Sequence, residues 1–110
     1  LIIRGGLNIS PVEVEEILSG DSRITAIALA GMPDERLGER ICAFVVPKSG
    51  AELTLEDLAD LAEKSGLAKQ KWPERLEILT ELPMTPTGKV QRYALKQLIT
   101  EKLTEESRTA

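Results

Sequence analysis

Histidine is absent from this chain, and cysteine occurs once, at Cys42. Without histidine the commonest general base and the commonest zinc ligand are missing, so the chain by itself carries no Ser-His-Asp or Cys-His mechanism. A single cysteine excludes an internal disulfide. Cys42 lies in an apolar β-like run and reads as a small buried hydrophobe rather than a nucleophile. Aromatic residues are scarce too, one Trp, one Tyr and one Phe, so a core must be built from aliphatic side chains. No apolar run approaches the ~20 residues that span a bilayer, and no basic-then-apolar leader opens the chain. A soluble, cytosolic domain is the expectation. The net charge of −4, with cations spread along the chain, argues against nucleic acid as a partner.

What is present is enough for one compact domain: 110 residues, 42% of them hydrophobic. The chain opens inside an apolar run, Leu1-Ile2-Ile3, which reads as a piece of a longer protein. Leu1–Arg4 is β-prone and runs into Gly5-Gly6, either a plain turn or a place where another molecule approaches the backbone closely. Ser10-Pro11-Val12-Glu13 supplies an N-cap serine, proline at the first helical position and glutamate at N3, and so starts a helix that Ser19-Gly20 ends. Glu13, Glu15 and Glu16 read as its cap and wet face. Ile24–Met32 is nearly continuous in apolar character, as in a strand covered on both faces, with a helix as the alternative. A polar connection over 33–38 leads to a second β-rich run, Arg40–Val46. Thr54 with Asp57 starts another helix, Trp72 reads as a packing anchor, and Arg75–Leu79 alternates like a half-buried strand. A last helix spans about Gln91–Lys102, with Tyr93 or Ala94, Leu95, Leu98, Ile99 and Leu103 along one side and a fraying tail from Thr104. The fold expected is a two-layer α+β domain, helices on a three-stranded, mostly antiparallel sheet, with an N-terminal strand or hairpin.

One stretch looks chosen for chemistry. In Pro83-Met84-Thr85-Pro86-Thr87-Gly88-Lys89-Val90, two prolines fix φ, two threonines offer hydroxyls, and Gly88 tolerates positive φ. The result is a stiff, exposed mount for one ammonium group, Lys89. Taken alone, a loop lysine is more often a solvated charge.

Two stretches together, 3–15 (Ile-Arg-Gly-Gly-Leu-Asn-Ile-Ser-Pro-Val-Glu-Val-Glu) and Pro83–Lys89, resemble motifs of the C-terminal domain of the adenylate-forming superfamily. Gly31-Met32-Pro33-Asp34-Glu35-Arg36-Leu37-Gly38-Glu39 matches the same family between them. The pattern over Gly5–Pro11 is most like that of stand-alone acyl-CoA synthetases; a piece of a peptide-synthetase or aryl-acid-activating enzyme, or a non-catalytic binding module, is the alternative. The resemblance implies that residues 1–110 form the mobile lid of an AMP-forming carboxylic acid:CoA ligase. Its large N-terminal domain, absent here, would bind the acid, ATP and Mg2+. The domain would close in two orientations, the first bringing Lys89 to the carboxylate and nucleotide as the catalytic lysine of adenylation. In the second, Gly5, Gly6 and Leu7 would line the path of the CoA pantetheine arm. No metal ligand is assigned to this chain. Arg4, Lys69, Lys71 and Arg92 could meet phosphates, with solvation the favoured reading.

Overall fold

The computed structural model describes residues 1–109. Two short strands, β1 (Ile2–Arg4) and β2 (Leu7–Ile9), form a hairpin and lead into helix α1 (Pro11–Leu18). Long strands β3 (Ile24–Asp34) and β4 (Gly38–Pro47) follow, then α2 (Leu55–Lys64), a 3-10 turn at Lys69–Lys71, β5 (Arg75–Ile78) and α3 (Arg92–Thr109). The local signals act as expected at both early helix starts. Ser10 accepts from the Glu13 N–H at the start of α1. Thr54 and Asp57 exchange side-chain-to-backbone bonds at the start of α2.

The α+β class holds, but the sheet is wider than the three strands read from the sequence. All five strands join one sheet in the order β2-β1-β4-β3, and β5 also pairs with β4. The β1–β2 hairpin is part of the sheet rather than an appendage: β1 meets β4 antiparallel at Arg4 and Gly38. β5 runs parallel to β4 further along, from Cys42 opposite Arg75 to Val45 opposite Ile78.

Helices cover both faces, making three layers instead of the expected two. Ile27 and Leu29 of β3 and Ile41, Ala43 and Val45 of β4 pack on one side with residues of α1 and α2. The alternate residues Ala28, Ala30, Met32, Cys42 and Phe44 pack on the other side with Leu95 and Ile99 of α3. This is why Ile24–Met32 reads as an almost unbroken apolar run: from Ile27 to Met32 neither face of the strand meets water. Cys42 is buried, as expected, and burial raises its thiol to about 12.

Two details of α3 differ from the expected helix. Residues 104–109 continue it instead of fraying; Ala110 lies outside the described residues. The continuation is anchored from the sheet, where Arg75 grips Glu106 and Glu77 receives Lys102. The buried stripe is also narrower: Leu95 and Ile99 are fully buried and Leu103 partly; of the alternatives Tyr93 and Ala94, Ala94 is the half-buried one and Tyr93 is 81% exposed, and Leu98 is 42% exposed. No described helix is long and apolar enough to cross a membrane.

Candidate functional site

Lys89 sits on a turn that ties itself together. Gly88 N–H donates to the Thr85 carbonyl (2.9 Å), and Thr85 N–H donates to the Lys89 carbonyl (2.7 Å). The Thr85 hydroxyl accepts from Lys89 N–H and contacts the Thr87 hydroxyl, both at 3.0 Å. Met84 bridges Val90 across the base, and Gly88 takes φ +86°, the left-handed region that favours glycine. Leu82 and Val90, partly buried against the α3-side core, fasten the turn to the domain. Lys89 is exposed, and no described residue accepts a bond from its ammonium group. The charge is held at its root and uncommitted at its tip.

Gly5 and Gly6 form the two-residue turn of the β1–β2 hairpin, with φ +56° and +85°. Two consecutive positive φ values make a type I′ turn, which matches the right-handed twist of the strands. The glycines are not equivalent. A Cβ on Gly5 would come within 3.3 Å of Leu37 Cδ2, and its N–H donates to the Leu37 carbonyl at 2.8 Å. A Cβ on Gly6 would meet nothing within 4 Å. Gly6 therefore offers an open strip of backbone, and Leu7 beside it is also exposed.

The structure does not bring Lys89 and Gly5-Gly6 together. The hairpin joins β4 at Gly38, its first residue. Met84 and Val90, at the base of the Lys89 turn, share an apolar groove of about 610 Å³ with Ala26, Ile27 and Val46, near the other end of that strand. Gly38 and Val46 lie eight positions apart along β4, on the order of 25 Å.

The cations that the sequence leaves to solvent are mostly engaged. Arg4 is half-buried and donates twice to Glu74 Oε1, at 2.8 and 3.0 Å, and this bond raises its already high pKa further. Glu74 Oε2 also accepts from Ile41 N–H at 3.1 Å. Burial pushes the Glu74 carboxyl up, but the bonds from Arg4 and Ile41 outweigh it and hold the group below its usual value. Arg92 donates to Glu15 at 2.5 Å, and its Nε is buried without a partner. Lys71 pairs with Glu13 at 2.8 Å. Lys69 is exposed, as expected. Trp72 is the anchor it promised to be, packed on the core with its indole N–H on the Leu67 carbonyl.

Glu15 also departs from the wet helix face read from the sequence. Its carboxylate accepts from Leu29 N–H at 2.7 Å, covering a donor on the free edge of β3. Glu15, read from the sequence as meeting water, and Glu39 and Glu74, for which the sequence suggested no role, each bind a strand N–H with a side-chain carboxylate. One signal was available: Gly31 inside a long strand marks a place where something approaches the backbone closely.

Known proteins resemble the chain over most of its length. The profile of the AMP-binding enzyme C-terminal domain matches residues 13–89 and so ends on Lys89. The chain is 41% identical over 107 residues to the medium-chain fatty-acid–CoA ligase of Escherichia coli K12, covering 96% of this chain and 19% of that protein. It is also 41% identical over 102 residues to the 2,3-dihydroxybenzoate-AMP ligase of Bacillus subtilis 168, covering 93% of this chain and 19% of that one. The crystal structure of an acyl-CoA synthetase from Brucella canis superposes with a TM-score of 0.82 at 34% identity, over 94% of this chain and 19% of that chain. The chain thus spans about a fifth of the length of these relatives. With a match this long, a shared fold and the lysine turn at its end, the chain belongs to the AMP-binding enzyme C-terminal domain family.

Proposed function

We propose that this chain is the mobile C-terminal domain of an ATP-dependent carboxylic acid:CoA ligase, which forms an acyl-adenylate and then an acyl-CoA thioester. The observation that carries the reading is Lys89: an exposed ammonium group without an acceptor, on a turn locked by its own hydrogen bonds. When a carboxylate attacks the α-phosphate of ATP, negative groups crowd together, and a fixed cation in a closed site stabilises the developing charge. Lysine suits that task in a domain that arrives and leaves, because it delivers a compact charge on a flexible stem. Gly5, Gly6 and Leu7 serve the second step, the open backbone at Gly6 giving a narrow thiol arm room to pass.

The partner this requires is the protein's own N-terminal domain, with ATP, CoA and the acid as substrates. Mg2+ would be bound with the nucleotide, mainly in the N-terminal domain. The acid is selected outside the C-terminal domain as well: a fatty-acid ligase and a dihydroxybenzoate ligase resemble the chain equally, each at 41% identity. A cytoplasmic location is part of the same proposal.

The test uses the full-length ligase. Lys89→Ala should reduce ATP–pyrophosphate exchange by ~10²–10³, the usual effect of losing one charge-stabilising donor. Conversion of supplied acyl-adenylate to acyl-CoA should stay near wild type. Equal loss of both half-reactions would overturn the assignment.

A further inference from the structure

Little backbone holds the β1–β2 hairpin to the rest of the sheet: one paired position, Arg4 with Gly38, and the bond from Gly5 N–H to Leu37. A hairpin of two three-residue strands is marginal on its own; the pair Ile2–Ile9 anchors its open end in the core, while none of residues 3–8 at its turn end is buried. The turn closes on the pair Arg4–Leu7, so by the alternation of antiparallel ladders the next pair, Ile3–Asn8, turns its backbone groups away from its partner strand. The Ile3 N–H meets a side chain there instead of a strand, donating to Glu39 Oε1 at 2.9 Å. Glu39 Oε2 accepts from Lys96 of α3 at 2.7 Å.

The seat of that carboxylate is cut into the neighbouring strand. A Cβ on Gly31 would lie 2.2 Å from Glu39 Oε2 and 2.5 Å from its Cδ, so the carboxylate rests where a side chain would otherwise be. Burial pushes the Glu39 carboxyl up, while the bonds from Ile3 N–H and Lys96 pull it down and prevail. It is therefore ionised at neutral pH and binds both donors as an anion.

Resting on the assignment of Gly5-Gly6 to thioester formation, we infer that Glu39 is a positioning residue for that half-reaction: seated over Gly31 and steadied by Lys96, its carboxylate fixes Ile3 and the glycine turn beyond it. Glu39 touches no substrate. It acts by holding backbone that the thiol arm must pass, and a misplaced hairpin would slow that step without disturbing Lys89.

Three variants of the full-length ligase test this: Glu39→Ala, Glu39→Gln and Gly31→Ala. Glu39→Ala should lower conversion of supplied acyl-adenylate to acyl-CoA by roughly 10- to 100-fold, the scale of a small misplacement. Pyrophosphate exchange should be unchanged, and the amide of Ile3 should lose protection from hydrogen exchange. Glu39→Gln keeps an acceptor for Ile3 and should recover most of the activity. Gly31→Ala should reproduce Glu39→Ala by displacing the carboxylate, yet add nothing on top of it. Unchanged protection at Ile3 in Glu39→Ala would overturn the inference, as would equal loss of both half-reactions or a further drop in the double variant. A loosened hairpin with a normal thioester step would overturn the assignment of Gly5-Gly6 on which the inference rests.

Discussion

The Lys89 turn and the Gly5-Gly6 hairpin are both exposed, both bend at glycines with positive φ, and are held in place by opposite means. Every bond that shapes the Lys89 turn joins residues between Pro83 and Gln91. The hairpin instead is held by Ile2 and Ile9, buried in the core, and by side chains far away in sequence, Glu39 on Ile3 and Glu74 on Arg4, 36 and 70 residues apart. A locally closed turn can be carried as a rigid unit wherever the domain moves. A turn held from a distance inherits its position from the packing of β4, β5 and α3, so that changes elsewhere in the domain reach it.

The largest effect that would sharpen this contrast comes from Glu74→Ala. It strands the Arg4 guanidinium and the Ile41 N–H together in a half-buried place, which should cost about 2–3 kcal/mol in urea unfolding. Hydrogen exchange should rise at the hairpin and not at the Lys89 turn; equal loosening of both would break the comparison.

Thr85→Val is the smaller converse. It removes the hydroxyl that accepts from Lys89 N–H, a bond of about 1 kcal/mol, or roughly fivefold in rate if it is spent on placing the lysine. Adenylate formation should fall by that factor while thioester formation and the hairpin's protection stay as they were.

Acid gives the mildest test. Glu39 and Glu74 both have folded-state pKa values below their usual one, so the stability they contribute is fully present above the ordinary carboxylate range. It is lost as pH falls through the lowered values. None of the bonds that close the Lys89 turn involves a titrating side chain. Protection factors measured on stepping the pH down should therefore drop at the hairpin first.

The same contrast explains what the sequence disclosed. Ser10-Pro11, Thr54 with Asp57, and the Pro-Thr-Gly pattern before Lys89 act within a few residues, and each could be read directly. The pairing of β5 with β4, the helical turns after Thr104 and the roles of Glu15, Glu39 and Glu74 are long-range. A glutamate that binds a strand N–H looks, in sequence, like one that meets water. Tyr93 and Leu98 mislead for a related reason: helical spacing puts them near the buried stripe, but α3 lies on the sheet along Leu95, Ile99 and Leu103 only. The proposed division of labour between the two turns rests on family resemblance, and their separation along β4 is what the fold adds.

The central claim is that the two turns serve different half-reactions. Its most direct test measures both half-reactions in the same full-length ligase carrying either Lys89→Ala or Gly6→Val. The expected result is crossed: Lys89→Ala loses pyrophosphate exchange and keeps thioester formation from supplied acyl-adenylate, and Gly6→Val does the reverse. Loss of the same half-reaction in both variants would contradict it.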